Sequence, residues 1–337
     1  MTRYFLGIDI GGTKSHALIA DDRGQIVGFA GAGPGNHEVV GYDGLRAVLL
    51  DITARAMAQA GIRRDDIAGA GFGVAGYDWP SELPPTLEAI AALGLTCPIE
   101  VVNDTVIGLV AGAEEGWGVA LVAGTSNNCW GWDERHNIGR VIGGGMMFGE
   151  HAGSYELVLQ AIIAIAKEWT LRGPATALTQ AFVREFGVAD AARLLEGIQL
   201  ERLHPGPWLA PLVFQVAEAG DEVARGIIRW AGEELADLAK GVIRQLKFQN
   251  RAFDVVLVGS MFNGGPMLLE PMKASILAEA PQARFVRLTA PPVVGATLLG
   301  MQKVGLSIPQ LRPRLIEAYQ VLAATSVELA NGVKRKT

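Results

Sequence analysis

The first stretch with residues suited to phosphate chemistry is GIDIGGTKSH, residues 7–16. Gly7 and Gly12 have the glycine spacing of a P-loop, but Thr13 separates Gly12 from Lys14. A true P-loop runs from a strand into a helix, whereas the residues after Lys14 have the pattern of a second strand. The stretch therefore predicts a hairpin turn that holds phosphate through its backbone. Lys14 either adds positive charge there or is a solvated flank of the strand.

Asp9 determines which chemistry this hairpin can support. A carboxylate repels a phosphate unless a cation lies between them, so Asp9 indicates Mg²⁺, held directly or through water. Gly11 and Gly12 permit close approach of the ligand to the backbone, and the Thr13 hydroxyl and amide can donate to phosphate. Taken alone, the motif is equally compatible with an ordinary hairpin that carries an exposed aspartate.

Two later turns repeat the arrangement of a strand followed by small residues. AGTSNNC, residues 123–129, ends one strand, and VGSMFNGGP, residues 258–266, ends another. VGSMFNGGP has an alternative interpretation as a simple linker between a strand and a helix. Two related halves with matching turns at their strand ends would clamp one nucleotide between them.

Periodicity predicts the elements that position these turns. The predicted strands of the first half are 4–10, 15–21, 25–32, 67–76 and 98–104, and its helices are 41–61, 81–93 and 105–115. The predicted strands of the second half are 117–125, 128–134, 139–145, 253–260 and 284–288, and its helices include 154–169 and 291–305. A meander followed by helices and strands thus occurs twice, which predicts domains at 1–115 and 116–305. The tail, 306–337, has helical spacing from about 312 and a basic, frayed end.

Composition narrows the class of protein. The chain has 337 residues, 50% of them hydrophobic, with a net charge of −6 and no basic block before the C-terminal KRK, so nucleic acid is not expected as a partner. We expect no membrane partner either, because no apolar run is long enough to span a bilayer and the N-terminus has no signal-peptide pattern. Cys97 and Cys129 lie far apart, which fits a reducing, cytoplasmic compartment.

These motifs together resemble the actin-like ATPase and sugar kinase superfamily, and most of all the N-acetylglucosamine kinase branch of the BadF/BadG/BcrA/BcrD ATPase family. The resemblance covers roughly residues 5–303 and rests on GIDIGGTKSHALI, GPGNHE, GVAG, VVNDTVIGLVAG, VAGTSNNC, GGGMMFGEHAGS, VVLVGS and PPVVGA. It implies an α/β fold of two RNase-H-like domains around a cleft that binds ATP and Mg²⁺ and closes on a sugar. It also implies a homodimer.

The resemblance assigns roles around the nucleotide. Asp9 would organise Mg²⁺. The residues implied to bind ATP are Gly11, Gly12, Thr13, Lys14, Gly124, Thr125, Ser126, Gly259, Ser260, Asn263 and Gly264. Ser126 replaces a glycine of the family pattern, which changes the geometry expected of that phosphate loop.

Asp104 is the predicted general base. It ends the predicted strand VVND, where a short carboxylate would project into the cleft, and the matching aspartate of the family takes the proton of the sugar hydroxyl. The alternative is a helix N-cap, since the helical residues Thr105 and Val106 follow directly.

The resemblance implies sugar contacts at Asn36, His37, Asn128, Glu150 and His151, in addition to Asp104. Asn36 has an alternative role as a turn residue with positive φ. GEHAGS, residues 149–154, departs from the family pattern G-D-E-G-S-A: Glu150 is one methylene longer than the aspartate, and His151 replaces a glutamate. His151 has the alternative of capping the next helix. The identity of the sugar therefore stays open among N-acetylglucosamine, glucosamine, N-acetylmuramate and a neutral hexose.

The sequence thus predicts an ATP-dependent kinase of an amino sugar, acting at O6. Two alternatives come from other classes. One is an ATPase that activates a 2-hydroxyacyl-CoA dehydratase or benzoyl-CoA reductase through an iron–sulfur cluster, for which neither cysteine has the required context. The other is a non-catalytic sugar sensor, which we do not favour because the first strand begins at residue 4 and leaves no room for a DNA-binding module, and because Asp104 is present.

Overall fold

Two five-stranded sheets form the centre of the molecule. The computed structural model describes the backbone of residues 2–334 and the side chains of residues 2–324. The strands of the first sheet are β1 Tyr4–Ile10, β2 Ser15–Asp21, β3 Ile26–Ala32, β4 Ile67–Val74 and β5 Ile99–Asn103. Those of the second are β6 Gly118–Ala123, β7 Asn127–Trp132, β8 Ile138–Arg140, β9 Phe253–Val258 and β10 Ala283–Arg287.

The two sheets share one topology, which confirms the predicted duplication. The first has the order β3-β2-β1-β4-β5, and the second has the matching order β8-β7-β6-β9-β10. In each, three antiparallel strands are followed by two parallel ones. In the first sheet, Ile10 pairs with Val74 and Val74 with Asn103. The loops that follow β1, β4 and β5 therefore leave the sheet at the same edge.

Eleven α-helices cover the sheets in the described part of the chain. They are α1 His37–Ala60, α2 Leu83–Ala91, α3 Asp104–Gly112, α4 Ser154–Trp169, α5 Ala177–Phe186, α6 Ala191–Gln199, α7 Ala210–Glu218, α8 Glu222–Leu246, α9 Pro266–Glu279, α10 Pro292–Gln302 and α11 Ile308–Lys334. Helix α1 begins four residues before the predicted start, because Asn36 caps it and Gly41, at φ 70°, introduces a kink. No helix among the described residues is both long and apolar enough to cross a membrane.

Helix α10 connects the second half of the chain with the first sheet. Although it follows the last strand of the second sheet, it packs on β1, β4 and α3. The first sheet and the helices packed on it are called the first lobe below, and the second sheet and its helices the second lobe. Glycines make this close approach possible: a methyl group at Gly7 would overlap Thr297, and one at Gly71 would stand 2.9 Å from Leu299 Cβ. The predicted division at residue 115 stays a prediction. Helix α10, which belongs to the 116–305 segment, packs on the first sheet.

The apolar stripe of α4 is used inside the chain. Leu157, Val158, Ala161 and Ile165 are all buried in the core of the second lobe. Helix α11 begins four residues before the predicted 312 and packs on β3, where Tyr319 lies edge-on against Phe29 at 5.8 Å. The basic C-terminal residues 335–337 lie outside the described residues.

The predicted strand 139–145 is largely wrong. Strand β8 ends at Arg140, and residues 143–145 form a glycine loop that leads into a short 3₁₀ turn, Gly145–Phe148. The backbone amide of Ile142, which would extend the strand, donates instead to a Glu150 carboxylate oxygen at 2.6 Å. A side chain eight residues away therefore ends the strand.

Candidate active site

The first predicted phosphate loop follows β1 and is open to solvent. Residues 12–14 are exposed, and a methyl group at Gly12 would meet no other atom within 4 Å. The Gly11 carbonyl accepts hydrogen bonds from the amides of Gly35 and Asn36 at 3.1 and 3.3 Å. The loop therefore has room for a ligand and is joined to the loop that precedes α1.

The second loop, Gly124–Ser126, is built in the same way at the end of β6. Helix α4 fixes its backbone, because the amides of Ser154 and Tyr155 donate to the carbonyls of Gly124 and Thr125 at 2.8 and 3.3 Å. Gly124 faces open space, and Thr125 and Ser126 are exposed. The Gly124 amide donates to the Ser126 carbonyl at 2.8 Å, so the donors that this loop can offer a ligand come from Thr125 and Ser126.

The third loop begins at Gly259, whose φ of 111° is one that only glycine adopts easily. A methyl group there would also overlap the Ala123 carbonyl, so the loop lies directly against the end of β6. Ser260, Asn263 and Gly264 line a cavity of about 470 Å³ with Trp208 and Phe214 among its other walls. An apolar cavity with a few polar groups, beside a phosphate loop, suits a purine nucleoside.

Asp104 lies at the edge where β1, β4 and β5 end. It is the first residue of α3, and Asn103, not Asp104, is the N-cap: its side chain accepts from the Thr105 amide at 2.9 Å. Both the predicted strand end at residue 104 and the alternative of a capping role for Asp104 are therefore corrected. Burial raises the pKa of Asp104 to about 7, assisted by the negative charges of Asp9 and Asp78.

Asp9 is close enough to Asp104 to influence its protonation, and its carboxylate lies 3.9 Å from His16 Nδ1. Among the residues that the structure describes, no three acidic, histidine or cysteine side chains converge on one point as a metal cage. This donor set fits Mg²⁺ that is carried largely by phosphates and water, with Asp9 as an oxygen donor.

A sequence model of the BadF/BadG/BcrA/BcrD ATPase family matches residues 6–300. The chain belongs to this family. The N-acetylmuramic acid/N-acetylglucosamine kinase of Clostridium acetobutylicum is 24% identical over 300 residues, covering 88% of this chain and 98% of the relative. The N-acetyl-D-glucosamine kinase of Dictyostelium discoideum is 25% identical over 320 residues, covering 88% and 97%.

Known structures agree with this assignment at the level of the fold. A solved structure from Chromobacterium violaceum, described as a candidate N-acetylglucosamine kinase, matches with a TM-score of 0.62 at 21% identity. The match covers 88% of this chain and 98% of that one. The predicted duplicated RNase-H-like fold of the actin-like ATPases is thereby confirmed.

In this BadF/BadG family member, Asn36 and His37 meet behind the loop that follows β4. Asn36 has a φ of −58°, so the alternative of a positive-φ turn residue is wrong; its Oδ1 accepts from the Glu38 amide as the cap of α1. The His37 ring stacks on Tyr42 with centroids 4.4 Å apart and is mostly buried. A methyl group at Gly76 would overlap the Asn36 side chain and lie 2.8 Å from the His37 ring.

Glu150 is buried, and its carboxylate accepts from the amides of Ile142 and Gly145 at 2.6 and 3.3 Å. It therefore shapes the glycine loop over the second sheet. His151 lies 5.9 Å from Trp230, ring to ring, and does not cap α4, whose N-cap is Gly153 without a side-chain bond. The alternative of a capping histidine is wrong.

Asn128 lies on β7 opposite the first lobe. Its Oδ1 accepts from the Cys129 amide at 2.8 Å. A methyl group added at Gly143 would lie 3.7 Å from Asn128 Nδ2. Asp78 of the first lobe lies 3.4 Å from the same position. Asn128 therefore lies at the seam where the two lobes face each other.

Asp78 lies near the same sheet edge, and motif reading did not single it out. It is partly buried in the loop after β4, and burial together with Glu38 and Glu82 raises its pKa to about 6. Its position in the sequence could have indicated it. The strand that ends in GVAG places the residues after it at the same sheet edge as Asp9 and Asp104.

Proposed function

We propose that the protein is an ATP-dependent kinase that phosphorylates an amino sugar, N-acetylglucosamine, glucosamine or a close relative, at O6. The observation that carries the proposal is the position of Asp104. It lies at the sheet edge shared by the first phosphate loop and the Asp78 loop, with a pKa raised to about 7. A carboxylate with this proton affinity is suited to accept a proton from a hydroxyl near neutral pH.

Each part of the site contributes to the transfer. Gly12, Thr13, Gly124 and Thr125 bind the phosphates through backbone amides and hydroxyls, and Asp9 holds the metal. Mg²⁺, when bound with ATP, neutralises charge that develops on the phosphates. The cavity beside Gly259 holds the adenosine. Asp104 takes the proton from the sugar O6 hydroxyl as O6 attacks the γ-phosphorus, and ADP leaves.

The sugar lies between the lobes, where Asn36, Asn128 and Glu150 contribute polar groups and His37 and His151 flank them. Amino sugars are supported as substrates because the relatives from Clostridium acetobutylicum and Dictyostelium discoideum are both named as N-acetylglucosamine kinases. We also propose a cytoplasmic homodimer. Its interface does not use the apolar stripe of α4, because that stripe is buried within the chain.

The alternative of an iron–sulfur ATPase has little support in the described structure. Cys129 is fully buried in β7, and burial raises its pKa, which opposes a thiolate ligand. Burial also raises the pKa of Cys97.

The decisive experiment measures ATP consumption with N-acetylglucosamine, glucosamine, N-acetylmuramate and glucose, each at several concentrations. Turnover with an amino sugar, and a product whose phosphorus couples to the C6 protons in NMR, is the expected result. Absence of turnover with all four sugars would overturn the proposal. Light scattering after size-exclusion chromatography tests the homodimer.

A further inference from the structure

Asp78 lies where the two lobes meet beside the acceptor site. It follows β4, and together with Trp79, Asn103 and Arg140 it lines a cavity of about 620 Å³ between the lobes. Trp130 and Trp132 line the cavity as well, and the Arg140 guanidinium lies over Trp79 at 4.4 Å and over Trp130 at 5.2 Å. Aromatic surfaces beside a carboxylate are suited to bind a polyhydroxylated ring, and Asp78 borders both this cavity and the seam that Asn128 faces.

Asn103 holds Asp78 in place. Its Nδ2 donates to Asp78 Oδ1 at 3.0 Å and to the Tyr77 carbonyl at 3.2 Å, while its Oδ1 accepts from the Thr105 amide. The Asn103 residue is 1% exposed, so no solvent competes for these bonds. Because Asn103 is also the N-cap of α3, one side chain joins the Asp78 loop to the helix that begins with Asp104.

The surroundings of Asp78 indicate a neutral hydrogen-bond donor as its ligand. In the described structure Asn103 engages Oδ1, and Oδ2 has no hydrogen-bond donor. Arg140 lies close enough to influence its charge, and no third acid converges with it on a metal position among the described residues. Sugar hydroxyls meet this description, and Asn128, a residue predicted to bind the sugar, lies across the seam.

We propose that Asp78 is a sugar-binding residue that accepts a hydrogen bond from an acceptor-sugar hydroxyl, and that Asn103 is the positioning residue that aims it. The inference rests on the proposed function, because it assumes that the sugar occupies the cleft beside Asp104. It adds a first-lobe carboxylate to the acceptor site and couples that carboxylate to the base through one amide.

The test compares three variants with the wild-type protein. Asp78→Ala and Asp78→Asn remove the carboxylate, and Asn103→Ser keeps an N-cap acceptor for Thr105 while removing the donor to Asp78. Because a lost hydrogen bond to a charged group weakens binding by about 10-fold to 100-fold, we expect the KM for the sugar to rise by that factor in Asp78→Ala. At pH 8 the KM for ATP should stay close to wild type, and the melting temperature of the two Asp78 variants should not fall below that of wild type.

Asp43→Asn is the matched control, since the Asp43 side chain is 99% exposed on α1. It should leave both KM values unchanged. In the double variant Asp78→Ala/Asn103→Ser, the sugar KM should equal that of Asp78→Ala, because Asn103 acts through Asp78. If Asn103 had only a structural role, its substitution would raise the KM for the sugar and the KM for ATP alike and would lower the melting temperature. The losses in the double variant would then be additive.

Failure of this inference and failure of the proposed function give different results. Wild-type turnover combined with an unchanged sugar KM in Asp78→Ala would overturn the role of Asp78. Absence of wild-type turnover with the whole sugar panel would overturn the proposed function. Calorimetric titration of N-acetylglucosamine and of glucosamine into wild type and Asp78→Ala then measures sugar binding directly, and equal affinities would overturn the inference as well.

Discussion

Gly7 on the first strand packs directly against Thr297 on α10, although 290 positions in the sequence separate them. A methyl group at Gly7 would overlap Thr297 Oγ1 and stand 2.8 Å from its Cα. The Thr297 hydroxyl meanwhile donates to the Val293 carbonyl at 3.0 Å, which holds the side chain in this contact. The strand that carries Asp9 therefore packs against a helix from the last fifth of the chain.

Substitution Gly7→Ala should destabilise the protein by about 2–3 kcal/mol, because overpacking forces strand and helix apart. Urea unfolding followed by circular dichroism measures the loss. Gly33→Ala is the control, since a methyl group there meets no atom within 4 Å, and it should change stability by less than about 0.5 kcal/mol. Equal stability of the two variants would contradict the close packing of β1 on α10.

Gly12→Ala should separate a binding role from a structural one. The added methyl group meets nothing in the protein, so the melting temperature should not change. It would occupy the space through which a phosphate approaches the backbone, and the KM for ATP should rise about 10-fold. Gly33→Ala again serves as the control, with an unchanged KM. An unaltered KM for ATP in Gly12→Ala would remove this loop from the phosphate site.

The pH dependence of turnover should report the proton affinity of Asp104. A general base acts as the carboxylate, so kcat/KM should fall about tenfold per pH unit below a pKa near 7, as protonation removes the base. Asp104→Asn should lower kcat by about 10²–10⁴ while calorimetry shows sugar binding largely retained. Near-normal turnover in this variant would refute the assignment of the base.

Stability should change with pH in the direction set by Asp78 and Asp104. Both folded-state pKa values lie above the ordinary 3.8, so the folded protein binds more protons than the unfolded chain between about pH 4 and pH 7. Stability should therefore fall as pH rises through this window. Asp78→Asn should be more stable than wild type by about 1–2 kcal/mol at pH 8 and no more stable at pH 4. Urea unfolding at the two pH values measures this, and a pH-independent difference would count against the burial of charge.

Periodicity predicted the first meander and α4 because their patterns are local. Strand β1 and helix α4 have the predicted bounds, since alternation and a single apolar stripe determine them. The end of β8 could not be predicted in this way. The Ile142 amide donates to the carboxylate of Glu150, which lies eight residues later in the sequence. Nothing in the pattern of residues 139–145 indicates this hydrogen bond.

Motif reading singled out Asp104 and not Asp78 for a related reason. Asp104 lies in a recognisable stretch, VVND, whereas Asp78 follows a glycine loop with no diagnostic spacing. Its importance arises from burial, from Asn103 and from the acids of other elements, all of which depend on the assembled sheet. The alternative for Asp104, a helix cap, failed because the neighbouring asparagine performs that function.

The packing of α10 on β1 also has a consequence for the order in which the protein is made. The first sheet is complete once residue 103 has left the ribosome, but the helix that fills its glycine-lined face ends at residue 302. During synthesis of the second lobe, that face has no native cover, so the nascent first lobe is an incomplete folding unit. Pulse proteolysis of ribosome-bound chains that end at residue 115 or at residue 320, each extended by a linker that spans the exit tunnel, should find the first lobe cleaved in the shorter chain and protected in the longer one.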